Sequence, residues 1–180
     1  DFFTAEKSDN GAAKINQLIG AVSGVKALVG KAGTIFDLGG QFAKWIKGGD
    51  GNTTANLVID DFALNGLCAA GSGIFLEQQA ARLQLSVQKL GELALQAEKG
   101  AKIAGRCSVF AKSDMIHLQQ KGTPVDEIAY GLCLALSRTF LCSIPDFSQL
   151  PLPITVVGGG GENPGLMRAF KELLKIDSGQ

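Results

Sequence analysis

Four glycine-rich turns set the frame within which this chain can fold: DLGG at 37–40, GGDG at 48–51, AGSG at 70–73 and GGGG at 158–161. They hold much of a glycine complement of 24 in 180 residues, about twice the usual share. Glycine has no Cβ and permits backbone angles and close approaches that other residues resist. Clusters of it at the ends of apolar runs mark tight turns between short elements rather than one low-complexity tract.

Between these turns the apolar spacing alternates between two periods. Residues 12–30 place Ile15, Leu18, Ile19 and Val22 at helical spacing. GTIFDLGG at 33–40 reads as a strand entering a glycine turn, QFAKWIK at 41–47 as the strand returning from it, and 56–64 as extended again. A helix then opens at Ser72, with Ile74, Phe75, Leu76, Ala80 and Leu83 on one face. A second follows in SVQKLGELALQAEKG behind a capping serine. A third opens near Cys107 and closes at Gly122. TPVDEIAYGLCLALSRTFL reads as a fourth helix, with Thr123 as cap, Pro124 at its first position and acids in its first turn. ITVVGGGG at 154–161 reads as a buried strand into a glycine turn, and NPGLMRAFKELL as the closing helix. No linker and no internal repeat interrupts this α/β order of strands, then helices, then a strand and a helix again.

The length and a 46% hydrophobic composition suit a single domain over residues 1–180 with a substantial core. Lys and Arg together number 17, as do Asp and Glu. With no charge surplus, neither a nucleic acid nor an anionic membrane is the expected partner. No apolar run reaches membrane-spanning length and DFFTAEKSDNG lacks the order of a signal peptide, so a soluble cytoplasmic protein is expected. Four cysteines, Cys68, Cys107, Cys133 and Cys142, are too few for a disulfide framework and point to reduced thiols.

In TIFDLGGQ an acid and two glycines end a strand. That arrangement brings backbone N–H groups to a phosphate and turns a carboxylate towards a metal or its waters; it equally makes an ordinary hairpin turn. The turn in VVGGGGEN admits an adenosine against its backbone, or serves only as a strand-to-helix bend. Cys68 stands before one helix and Cys107 at the start of another, where the helix dipole favours a thiolate. Such a pair suits an iron–sulfur cluster, whose four thiolates would then come from two copies of the chain. Taken singly, each cysteine also reads as a buried structural thiol, and Cys133 and Cys142 fall on the apolar pattern of a helix. His117 reads as a surface or capping residue, Asp60 and Asp61 as a solvated turn, and Trp45 with the ten phenylalanines as core.

Taken in order, TIFDLGGQFAK, DFALNGLCAAGSGIFLEQQAARL, GRCSVFAKSDMIHLQQKG and ITVVGGGGENPGLMRAF resemble the BadF/BadG/BcrA/BcrD family, which comprises ATPases that activate 2-hydroxyacyl-CoA dehydratases and ATP-binding subunits of benzoyl-CoA reductase. The likeness runs from about Gly33 to the end. It implies an α/β actin/Hsp70/hexokinase-like (ribonuclease H-like) lobe with a mixed sheet flanked by helices, ATP or ADP with Mg2+ held between two lobes, and a [4Fe-4S] cluster shared across a homodimer. By this resemblance Asp37 and Gln41 are catalytic, and Gly39, Gly40, Gly71, Ser72, Gly73, Gly158, Gly159 and Asn163 bind nucleotide. Cys68 and Cys107 hold the cluster. The partner it implies is a dehydratase or benzoyl-CoA reductase type component that receives one electron.

Two departures qualify these expectations. Relatives usually carry an acid after GGQ, where this chain has Phe42, which bears on magnesium or water positioning. The sequence also reads as a carboxy-terminal lobe without the amino-terminal lobe and its first phosphate loop, so it is expected to be inactive alone. The rival readings are a lobe of a sugar or small-molecule kinase of the same fold, with structural cysteines, and a non-catalytic fragment.

Overall fold

The computed structural model describes residues 6–7, 13–14, 16–48, 59–64, 72–105 and 107–176. Two short strands, β1 (Glu6–Lys7) and β2 (Ala13–Lys14), pair antiparallel ahead of helix α1 (Gln17–Leu28). Then come β3 (Thr34–Leu38), β4 (Ala43–Gly48) and β5 (Ile59–Leu64). Four helices follow: α2 (Gly73–Arg82), α3 (Val87–Gln96), α4 (Ser108–Gln120) and α5 (Val125–Leu141). Strand β6 (Ile154–Val157) and helix α6 (Pro164–Leu174) close the order.

The main sheet runs β5-β4-β3-β6. Its first three strands are antiparallel, while β6 joins β3 in parallel, with Thr34 opposite Ile154 and Asp37 opposite Val157. This is the mixed sheet flanked by helices that the family resemblance implies. Strand side chains alternate between faces, and the two faces carry different cores. Phe36, Leu38, Ala43 and Trp45 face the large cluster built by α2, α3, α5 and α6. Ile35 and Ile46 face the other way, onto Val22 and Val25 of α1. At the centre of the large cluster Phe36, Phe140 and Phe170 meet with ring centroids 5.0–5.6 Å apart, two of the three pairs edge-to-face. Such pairs add about 0.5–1.5 kcal/mol each beyond area burial.

Local signals set most of the boundaries. The Ser86 hydroxyl accepts the Lys89 N–H at the start of α3, and the Asn16 carboxamide accepts from Leu18 at the start of α1. Helix α4 closes as a Schellman motif: Gly122 N–H donates to the Gln119 carbonyl and Thr123 N–H to that of Leu118. Thr123 is thus committed to ending α4 and does not cap α5. Pro124 takes the cap position with ψ 143°, and α5 begins at Val125. Proline fixes φ but leaves ψ free, which is why the helix begins one residue later than expected.

Other expectations are corrected by position in the sheet and on the surface. Strand β6 is half-buried rather than buried, because it pairs only with β3. Phe42, Phe62, Phe110 and Phe147 are exposed, not core. Cys133 is fully buried in α5, but Cys142 is the C-cap residue where α5 ends and is exposed. Asp60 and Asp61 lie within β5 rather than in a turn, with Asp60 paired to Lys47 at 2.9 Å. His117 is exposed in the last turn of α4. No helix among the described residues is long and apolar enough to cross a membrane.

Helix α5 carries a glycine whose role is one of space. A Cβ at Gly131 would lie 2.3 Å from the carbonyl oxygen of Ala101, because the chain between α3 and α4 runs directly against the helix, with Ala101 N–H donating to Glu127. A helical Gly→Ala change normally stabilises by about 0.5–1 kcal/mol. Gly131→Ala is expected to destabilise by about 1–3 kcal/mol through overpacking. Gly24→Ala in α1, where nothing lies within 4 Å, is expected to stabilise by the ordinary amount. Urea midpoints of the two variants, moving in opposite directions, check this.

Candidate functional site

Because β3 and β6 are parallel neighbours, their carboxyl ends lie side by side, and ligands of open α/β sheets bind outside such ends. Both strands run straight into glycine turns, Gly39–Gly40 after β3 and Gly158 with the 3-10 turn Gly159–Glu162 after β6. The two turns are packed together. Gly158 has φ +84°, and a Cβ there would lie 2.7 Å from the Leu38 carbonyl oxygen. Helix α2 joins them from the third side: Gly73 N–H donates to the Gly39 carbonyl at 3.0 Å, and Ile74 N–H to that of Gly40 at 2.7 Å. These two amides of the α2 amino terminus are therefore already occupied by the fold.

Gly40, Ser72, Gly73, Gly159 and Asn163, all singled out from sequence, line one cavity of about 150 Å³. Leu38, Leu76, Val87, Leu136 and Leu166 give it apolar walls, and among the described residues Glu77 is its one titratable side chain. Asp37, Gly39 and Gly158 occupy the adjoining strand ends, and Gln41 is exposed on the turn after β3. Cys68 and Gly71 lie outside the described residues.

Asn163 is buried and both ends of its carboxamide are engaged by the fold. Oδ1 accepts the Leu166 N–H at 3.0 Å as the cap of α6, and Nδ2 donates to the Val87 carbonyl at 3.0 Å. It therefore holds the cavity's two walls together. Asp37 sits opposite Lys44 across the β3–β4 pair, and the Lys44 ammonium donates to Asp37 Oδ2. Both are largely buried, with side-chain exposures of 16% and 6%. The other carboxylate oxygen, Oδ1, faces Gly158. Sequence reading missed Lys44 and Glu77. Lys44 was legible in principle, since folding QFAKWIK back on TIFDLGG places it opposite the acid, whereas Glu77 is marked only by its spacing of four from Gly73.

Cys107 stands apart from this cavity. It is the N-cap residue of α4, half-buried, and its side chain makes no capping bond. It lines an open cleft of about 710 Å³ with Phe110, Arg138 and Cys142. Beside it the Ser108 hydroxyl is buried without a hydrogen-bond partner among the described residues. Val109 and Phe110 are each 66% exposed on the same helix start. Cys133, by contrast, is sealed in the core, and burial pushes its thiol up to about 12. Among the described residues no three His, Cys, Asp or Glu side chains converge as a metal site.

The sequence profile of the BadF/BadG/BcrA/BcrD ATPase family matches residues 12–180. The chain is similar to the activator of lactoyl-CoA dehydratase of Anaerotignum propionicum, at 34% identity over 164 residues, covering 91% of this chain and 61% of that protein. It is also similar to the (R)-2-hydroxyglutaryl-CoA dehydratase activating ATPase of Acidaminococcus fermentans, at 31% over 144 residues, 80% of this chain and 53% of the other. Among solved structures it matches the activator of the 2-hydroxyisocaproyl-CoA dehydratase from Clostridium difficile with bound ADPNP. There the TM-score is 0.83 at 28% identity, over 93% of this chain and 60% of that one. The chain spans a little over half the length of these relatives. The fold is the actin-like one that the resemblance implied.

Two expectations follow from the geometry. Lys44→Met leaves the Asp37 carboxylate buried and unpaired and is expected to cost about 3 kcal/mol. Adding Asp37→Asn to it should recover part of the loss, giving a coupling on the order of 1–3 kcal/mol in a urea-unfolding double-mutant cycle. In the folded, iron-free protein, iodoacetamide followed by peptide mass spectrometry is expected to label Cys107 and Cys142, and Cys133 only after unfolding.

Proposed function

The chain belongs to the BadF/BadG/BcrA/BcrD ATPase family, and from that premise we propose that it forms the nucleotide-binding lobe of an ATP-dependent activator. The activator passes one electron to a 2-hydroxyacyl-CoA dehydratase or benzoyl-CoA reductase type partner. The observation that carries this reading is the convergence of three separate glycine segments, at 39–40, 73 and 158–160, around one cavity at the carboxyl ends of parallel strands. Apolar walls suit a base, and exposed backbone suits phosphates.

In this reading Lys44 holds Asp37 Oδ2, leaving Oδ1 to face the magnesium waters of the bound ATP, while Gln41, exposed on the turn, orients the attacking water. Gly39, Gly40, Gly158 and Gly159 let the phosphates and sugar approach the backbone. Phe42, where the family resemblance implies an acid, is exposed, so Asp37 carries the negative charge on this turn.

Cys107 fits a cluster ligand: it is presented at a helix mouth with its thiol uncommitted, and the unpartnered Ser108 hydroxyl beside it suits a sulfide acceptor. Cys107 together with Cys68, from each of two copies, would hold a [4Fe-4S] cluster, and the exposed Val109 and Phe110 flank the junction. Such a cluster supplies one-electron transfer when bound. The relatives this chain matches include activators of CoA dehydratases, which favours this reading over a kinase lobe.

Anaerobically isolated full-length protein is expected to contain about four irons and four sulfides per pair of chains and to bind ADP with Mg2+. Cys107→Ser should lose the iron and keep ADP binding. Iron-free protein that phosphorylates a small hydroxyl substrate would establish the kinase instead.

A further inference from the structure

The chain that leads into α4 climbs along one stripe of α5. Ala101 N–H donates to the Glu127 carbonyl at 2.8 Å, and the Ala101 carbonyl fills the space that the missing Cβ of Gly131 leaves. Further on, Gly105 lies against Ala135 and Thr139, where a Cβ would come 2.6 Å from the Thr139 hydroxyl oxygen. Gly131, Ala135, Thr139 and Cys142 follow one another at spacings of four, four and three, which places them on one face of a helix. Cys142 keeps helical angles, φ −63° and ψ −16°, so it continues that face. Cys107, two residues beyond Gly105, therefore arrives level with Cys142, and both line the same open cleft of about 710 Å³.

Neither thiol is used by the fold. The Cys142 backbone N–H closes α5 on the Arg138 carbonyl at 2.9 Å, while its side chain is exposed and free. The Cys107 side chain makes no capping bond at the start of α4. Peroxide oxidises an accessible thiol to a sulfenic acid, which goes on irreversibly to sulfinic acid unless a second thiol traps it. A second thiol on the same cleft wall is placed to do so.

We propose that Cys107 and Cys142 form a redox pair, in which Cys142 is the resolving thiol that captures oxidised Cys107 as an intrachain disulfide. Hydrogen peroxide converts the Cys107 thiol to a sulfenic acid with release of one water. The Cys142 sulfur then attacks the Cys107 sulfur, the S–O bond breaks, the S–S bond forms and a second water leaves. The two thiols give up two electrons and two protons, and the peroxide takes them. The pairing stands on the cleft alone. Its purpose, keeping Cys107 recoverable as an iron ligand after a cluster is lost, rests on the cluster reading above.

The test uses full-length wild type and Cys142→Ser, stripped of iron by an anaerobic chelator and then treated with a stoichiometric amount of hydrogen peroxide. Matched melting temperatures before oxidation show that the exposed substitution leaves the fold intact. Peptide mass spectrometry without reductant should find Cys107 joined to Cys142 in wild type and released by dithiothreitol, and Cys107 as sulfinic acid in Cys142→Ser. After dithiothreitol, iron and sulfide, wild type should regain its iron, while Cys142→Ser regains severalfold less. Cys107 joined instead to Cys68 or to a second copy of itself overturns the proposal, as does sulfinic Cys107 to equal extent in both proteins. A Cys107–Cys142 disulfide in a protein that takes up no iron before oxidation overturns the cluster reading and leaves the redox pair standing.

Discussion

The parallel pairing of β3 with β6 is the constraint on which the rest of this structure depends. Strands distant in sequence meet in a fixed register, Thr34 to Ile154 through Asp37 to Val157, and a slip by one residue would reverse every side chain between the two cores. That register delivers two glycine turns to the same edge. Leu38 is the point of contact, with its carbonyl 2.7 Å from a Cβ position at Gly158 and its own Cβ 2.7 Å from one at Gly160. Side chains at either glycine would force the turns apart and open the cavity.

Around that contact, polar side chains are spent on holding helices rather than left for a ligand. Asn163 ties the start of α6 to the start of α3. Further along α6, Arg168 donates to the carbonyls of Ala94 and Ala97, each at 2.8 Å, where α3 ends and its last carbonyls lack helical partners. The same guanidinium stacks on the Tyr130 ring of α5 at 3.9 Å. Tyr130 donates to Glu172, and burial together with that carboxylate raises the phenol well above its usual range, so it remains a donor at any physiological pH. Helices α3, α5 and α6 thus form one block behind the turn that follows β6.

Much of this was legible in the sequence because local chemistry and tertiary environment agree. The serine cap of α3, the glycine end of α4 and the hairpin around DLGGQF each follow from residue types at fixed offsets. The glycine turns after β3 and β6 stand where the sequence places them, although their meeting is a property of sheet register, which no short stretch encodes. The misses have physical causes. Thr123 could cap one helix or close another, and the Schellman bond to Leu118 took it. Cys142 shares the apolar period of α5 but falls where the helix leaves the core. Phe62 alternates correctly for a strand, yet β5 is the edge of the described sheet, and its outer side chains face solvent. Lys44 required pairing two strands before its role appeared.

The unequal backing of the sheet carries its own consequence. On one side lies a core of many helices; on the other, among the described residues, α1 sets its buried Val22 and Val25 against Ile35 and Ile46, with a few half-buried neighbours. The free energy of opening a segment scales with the apolar contacts it forfeits, so the α1 layer is the weakest seam of the described structure. Amide hydrogens of α1 should therefore exchange long before those of α5, and the strand bearing Asp37 is clamped hard from one side and only lightly from the other. Such lopsided support lets the rear of the sheet breathe while the cavity face keeps its shape.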